Sequence, residues 1–204
     1  MNSASSVLAG RIAEIRQRVE GAERRSGRPA GATTLIAVVK TLPAEVIAEA
    51  VGLGLVDLGE NRVQEAEVHQ RTVPRDAARW HMIGHLQRNK AGRALELFDR
   101  IHGVDDVDLG EALSRRAQTL GRRVQVLAEV NVSGEASKFG VAPEAAPALL
   151  ERLAALPGLD LVGLMTVGAP VEDAEHARPG FARLRALRDE AERRLGVRLP
   201  ELSM

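Results

Sequence analysis

Leu35-Ile36-Ala37-Val38-Val39-Lys40-Thr41-Leu42-Pro43 decides the fold. Five apolar residues in succession, two of them Val and one Ile, read as a short strand covered on both faces by helices. Pro43 stands where a helix N1 proline would, so strand passes into helix through Lys40-Thr41-Leu42. The same alternation runs along the whole chain. Further strands are expected over Leu55–Leu58, Trp80–Ile83, Arg100–Val104, Val124–Val132 and Leu159–Val167, with the start of a seventh at the end. A first helix is expected from about Val7 to Arg25, capped by Ser5 or Ser6, with Leu8, Ile12, Ile15 and Val19 on one face. The helix after Pro43 should bury Val46, Ile47, Ala50 and Val51, and another should follow Asn61 with Val63, Ala66 and Glu67. Later helices fit Gln87–Leu97, Val107–Leu120, Pro143–Leu156 and Phe181–Leu195, the last closed by Gly196. Strict alternation implies a parallel sheet. An eight-stranded β/α barrel and an open doubly wound sheet both satisfy it. An open dinucleotide-binding sheet carries a glycine-rich fingerprint after its first strand. Lys40-Thr41-Leu42-Pro43 contains no glycine, which favours the barrel, as a single domain over residues 1–204.

Lys40 is unusual in its own right. The chain has 28 basic residues, and only Lys40, Lys90 and Lys138 are lysines. Arg stays protonated, with a pKa above ~12, whereas a desolvated Lys amine can lose its proton and attack a carbonyl. At the end of a buried strand, Lys40 reads either as a Schiff-base lysine or as a strand-end lysine whose stem snorkels.

Composition narrows the class. Formal net charge is +0, aromatics make up 2%, and there is no Cys. A neutral, aromatic-poor chain offers no electrostatic footprint or stacking platform for nucleic acid, and no basic face for an anionic membrane. Disulfides, Cys-based metal sites and thiol catalysis are excluded. Nothing approaches ~20 uninterrupted apolar residues, and the reading is a cytoplasmic protein.

Barrel chemistry sits at the C-terminal ends of the strands. Polar groups gather there in this sequence: Lys40; Gly59-Glu60-Asn61-Arg62; His81 with Gly84-His85-Leu86-Gln87-Arg88-Asn89-Lys90; Asn131-Val132-Ser133-Gly134-Glu135 with Lys138-Phe139-Gly140; and Met165-Thr166. Taken singly, each is also an ordinary turn or cap. His81 and His85 are four apart, but the zinc motif needs a helix and an intervening Glu, and Met82-Ile83-Gly84 supply neither. No Gly-x-Ser-x-Gly elbow supports acyl transfer.

These blocks resemble, in order, the signatures of the pyridoxal phosphate homeostasis proteins of the YggS/PROSC type. They are Ala37-Val38-Val39-Lys40-Thr41, Gly59-Glu60-Asn61-Arg62-Val63-Gln64-Glu65, Trp80-His81-Met82-Ile83-Gly84-His85-Leu86-Gln87-Arg88-Asn89-Lys90, Asn131-Val132-Ser133-Gly134-Glu135 with Lys138-Phe139-Gly140, and Gly163-Leu164-Met165-Thr166. The resemblance implies an α/β fold, a (β/α)8 TIM barrel like the N-terminal domain of alanine racemase. It implies pyridoxal 5′-phosphate (PLP) held as an imine on Lys40, with Asn61, His81, Asn131 and Met165 as further cofactor contacts. It implies a vitamin B6 homeostasis role without established catalytic turnover, in a monomer whose partners are PLP and PLP-dependent apoenzymes. Val39 departs from the pattern, where relatives more often have Ser or Thr. The relatives continue past Leu202-Ser203-Met204 into a Gly-Met-Ser segment and an Arg-x-Gly strand. The expectation is therefore a barrel incomplete at its C-terminus, with its last one or two strands and its phosphate loops beyond Met204.

The alternative is a PLP-dependent enzyme of the amino-acid racemase kind. That chemistry uses a Lys and a Tyr on opposite faces of the substrate carbanion, and this chain has no Tyr. A scaffold for another phosphorylated metabolite remains only if Lys40 forms no imine.

Overall fold

The computed structural model describes residues 3–168 and 171–204. The chain forms two compact units, Met1–Glu60 with Gln64–His81, and Asn61–Val63 with Met82–Met204.

The first unit opens with helix α1 (Ser3–Arg25), so the serine cap expected at Ser5 or Ser6 falls inside the helix. Of its expected apolar face Ile12 is buried, while Ile15 is exposed. Strand β1 is only Ala37–Val38, paired in parallel with β2 (Asp57–Glu60) through Ala37↔Leu58 and Val38↔Gly59. Leu35 and Ile36 are apolar but take no place in the ladder. Val39 donates to the Gly59 carbonyl at 3.0 Å, and the chain turns at once into Lys40 and Thr41. Helix α2 (Ala44–Gly52) follows. Pro43 is its N-cap, in extended conformation (φ −62°, ψ 141°), and not its first helical residue. Ile47 and Ala50 are buried, whereas Val46 is exposed. Arg16 of α1 ties α1 to the end of α2 by donating to the carbonyls of Leu53 and Gly54.

Strand β2 is displaced by two residues from the expected Leu55–Leu58. Asp57 falls inside the expected strand, but Glu60 reads as a turn residue, because an isolated buried carboxylate is costly. Here both are partnered: Asp57 by Arg79, and Glu60 by His69 of α3 (Val63–His69) at 2.5 Å. Strand β3 (Arg79–Met82) lies beyond β2, with Arg79 donating to the Val56 carbonyl at 2.7 Å.

The second unit repeats the β/α unit. A 3-10 turn (Arg88–Lys90) leads into α4 (Ala91–Leu97), so the helix expected from Gln87 is split in two. Then come β4 (Arg100–Val104), α5 (Val107–Thr119), β5 (Val124–Glu129), α6 (Ala146–Ala154), β6 (Leu159–Met165), α7 (Arg178–Leu195) and β7 (Glu201–Ser203). The Asp106 carboxylate starts α5 by accepting from Leu109 N–H at 2.7 Å. Gly196, in the left-handed region (φ 65°), ends α7 as expected. Strands β4, β5, β6 and β7 are neighbours in that order and parallel. Leu113 and Ala117 of α5, Leu150 and Leu153 of α6, and Leu184 of α7 are fully buried.

This sheet is curled. Strands β4 and β7 are three spacings apart, about 14 Å in a flat sheet. Yet Arg100 Nη1 meets Glu201 Oε2 at 2.5 Å, and His102 Nδ1 lies 2.9 Å from Ser203 Oγ. His and Ser side chains are too short to span that distance, so the strands bend toward each other as in a barrel wall.

Candidate functional site

Lys40 follows β1 directly, and the sequence argument placed it at a buried strand end. The structure corrects this: a two-residue strand leaves Lys40 in the turn, and its side chain is exposed. It makes no hydrogen bond or ion pair among the described residues. Its neighbour Thr41 has φ 63°, where a β-branched residue is strained. A free primary amine beside strained backbone is a local feature that packing alone does not require.

His81, buried in β3, points its Nε2 at Asp57 Oδ1, 3.0 Å away. The Asp57 carboxylate also takes both Arg79 Nε and Nη2, at 2.7 and 2.6 Å. Burial works to raise the Asp57 carboxyl. The hydrogen bonds from Arg79 and His81 outweigh it and hold the group below the ordinary aspartate range. His81 is thereby fixed in orientation, one ring nitrogen engaged with a carboxylate. Lys40 follows β1 and His81 lies on β3, the strands on either side of β2.

In the second unit Asn61 follows β2 and is packed against Gly84. A Cβ on Gly84 would lie 2.6 Å from the Asn61 carbonyl oxygen and 2.8 Å from its Cα. Only glycine permits that approach.

Asn131 organises a strap. Its Nδ2 donates to the Glu135 carbonyl at 2.8 Å, and its Oδ1 accepts from Ser133 Oγ at 2.8 Å and Gly134 N–H at 3.1 Å. The side chain is therefore engaged within its own loop, an Asx-type turn. Met165, buried, is the last residue of β6 and pairs in register with Glu129 and Ser203. The next residue, Thr166, is 1% exposed, and its Oγ1 has no hydrogen-bond partner among the described residues.

Two groups, Glu129 and Asp105, are not among the candidates read from the sequence. Glu129 ends β5 and is buried. Burial, then the neighbouring Asp105 charge, push its carboxyl up to about 7. Asp105 Oδ1 is buried without a partner, and its Oδ2 lies 3.6 Å from His85 Nδ1. The one available signal was a Glu interrupting the apolar run from Val124 to Val132. Asp105 reads as an ordinary turn residue.

Residues 11–204 match the family described as alanine racemase, N-terminal domain. A pyridoxal phosphate homeostasis protein of Aquifex aeolicus is 39% identical over 194 residues, covering 95% of this chain and 85% of the relative. The solved structure of PipY from Synechococcus elongatus with PLP bound superposes with a TM-score of 0.81 at 35% identity. It covers 97% of this chain and 88% of that one. Alanine racemase of Clostridium difficile in complex with cycloserine superposes with a TM-score of 0.71 at 13% identity over 85% of this chain and 48% of the other. That likeness is one of fold: an α/β barrel of the TIM type.

Proposed function

The chain belongs to the pyridoxal phosphate homeostasis proteins, within the alanine racemase N-terminal domain family, and from that premise we propose that it binds PLP in vitamin B6 homeostasis. The observation that carries the proposal is Lys40: an exposed, unpaired amine at the C-terminal end of the first strand. PLP brings an aldehyde that condenses with a primary amine, and Arg cannot substitute for that amine. The remaining assignments are proposals of the same kind. Asn61 is held in place by the close approach of Gly84. His81 is oriented by Asp57, and Asn131 shapes the strap. Met165 offers an apolar contact to an aromatic ring. The free hydroxyl of Thr166 fits an oxygen-rich group, because a buried donor without a partner is costly to leave unmatched.

The proposal extends to a carrier without catalytic turnover, a cytoplasmic monomer that passes PLP to PLP-dependent apoenzymes. Lack of Tyr supports the non-enzymatic part. Among the described residues no helix is long and apolar enough to cross a membrane. One observation favours the rival reading of a racemase-like enzyme: a buried carboxyl near pH 7, as on Glu129, is the property of a general acid or base. Titration with PLP, followed by near-visible absorbance, tests the binding proposal. A saturable new band is expected with PLP and none with pyridoxine 5′-phosphate, which lacks the aldehyde. No band with PLP would overturn the proposal.

A further inference from the structure

The segment from Asn131 to Gly140 leaves the end of β5 and returns to it. Val141 bridges to Val130 and donates to the Glu129 carbonyl at 3.0 Å. Gly140 makes the return possible: its φ is 100°, and a Cβ there would meet Asn131 N at 2.8 Å. Two contacts press this strap down, and both end on one carboxylate. Gly140 N–H points at Asp105 Oδ2, 3.4 Å away. Phe139, itself 54% exposed, stacks on His85 with ring centroids 4.1 Å apart and planes 9° from parallel. His85 Nδ1 in turn lies 3.6 Å from the same Asp105 Oδ2. Beside Asp105 is the buried carboxyl of Glu129, and Gly103 on β4 leaves it room: a Cβ there would lie 3.2 Å from Glu129 Oε2.

We propose that the Asn131–Gly140 strap is a proton-controlled latch, docked while Glu129 and Asp105 carry one negative charge between them and loosened when both ionise. A single charge on Asp105 suits its two contacts, the Gly140 amide and the His85 ring. Among the described residues the charge that bears on Glu129 is that of Asp105, and no cation offsets it. Lys138, the strap's own, is turned to the Gly168 carbonyl at 2.7 Å and to Glu135 at 3.3 Å. Met165, beside Glu129 on β6, is apolar. Two like charges held out of water repel strongly, and lifting the strap admits water to both. The position of the Glu129 carboxyl, near 7, places the change at neutral pH. The His85 ring, set against Phe139 and Asp105, is the other contact of the strap, so the test separates the two.

The test is amide hydrogen exchange at Gly140 and Val141, corrected for intrinsic rates and followed between about pH 5 and about pH 9, a range that spans the Glu129 titration. Protection should fall as pH rises, with a midpoint near 7, and each pKa unit recovered on release shifts docking about tenfold. Glu129→Gln should flatten the profile. His85→Gln should lower protection at every pH and keep the midpoint. A carbon-13 titration of the Glu129 carboxyl in the unaltered protein gives a second reading, and its midpoint should coincide with that of the strap. A flat profile in the unaltered protein would overturn the latch. So would a midpoint that survives Glu129→Gln or vanishes in His85→Gln, and so would a carboxyl midpoint apart from that of the strap.

Discussion

Asp57 Oδ1 lies 3.0 Å from His81 Nε2 while the same carboxylate grips Arg79 with two bonds. One acid thus fixes a proposed cofactor contact and pins β3 to β2. Asp57→Asn keeps the shape and removes the charge. It should cost about 1–3 kcal/mol, toward the low end because Arg79 is largely exposed. The Asp57 carboxyl is lowered on folding, so its contribution is present above the unfolded value of 3.8 and is lost as pH falls through the folded one. Urea unfolding at neutral and acidic pH checks this: the gap between the two proteins should narrow toward acid.

Glu129 has the opposite sign. Its folded carboxyl is raised from 4.5 to about 7. The folded state binds the extra proton, so stability is fullest below about 4.5 and falls as pH rises through 7. The shift corresponds to roughly 3 kcal/mol across that window. Glu129→Gln should remove this slope and be the more stable protein at pH 8 relative to its standing at pH 5. Parallel pH profiles for the two proteins would show that Glu129 ionises freely in the folded state.

Much of this arrangement is legible in the sequence, and the exceptions have physical causes. Arg100–Val104 reads correctly as a strand because turn residues bound it on both sides. Leu35–Val39 reads as five residues and pairs over two, since apolarity reports burial and not hydrogen bonding. That shortening is what moves Lys40 from a buried strand end to an exposed turn. Strand β2 is misread by two residues because Glu60 looks like a turn residue until His69 is seen beside it. The Asp105 and Glu129 pair is invisible for the same reason: whether a carboxyl is buried depends on elements far apart in the chain.

Gly84 supplies a steric test. A Cβ at this position would press on the Asn61 backbone, which cannot yield as a side-chain tip can. Gly84→Ala should destabilise by about 1–3 kcal/mol through overpacking. It should also weaken PLP binding by displacing Asn61, while Gly10→Ala, exposed in the interior of α1 with open space around it, should leave PLP binding unchanged and raise stability slightly through helix propensity. Thermal melts and PLP titrations of the two variants make the comparison.

The carrier reading predicts no appreciable chemistry on amino acids. With no Tyr to serve the second face of a carbanion, loss of one acid–base group typically removes ~10²–10⁴-fold in rate. Alanine racemisation, measured by polarimetry or chiral chromatography with saturating PLP, should stay well below ~1 s⁻¹. Turnover above that, lost in Glu129→Gln, would establish the enzyme reading instead.

The central claim is that Lys40 carries the cofactor, and its most direct measurement is borohydride reduction of the PLP-loaded protein followed by peptide mapping. Reduction converts a lysine–PLP imine into a stable amine, so the adduct stays where it formed. With only Lys40, Lys90 and Lys138 in the chain, the map has three side-chain positions to distinguish. The account predicts a phosphopyridoxyl mass on the peptide containing Lys40, and none on that peptide in Lys40→Arg. A stoichiometric adduct on Lys90 or Lys138, with Lys40 unmodified, would contradict it.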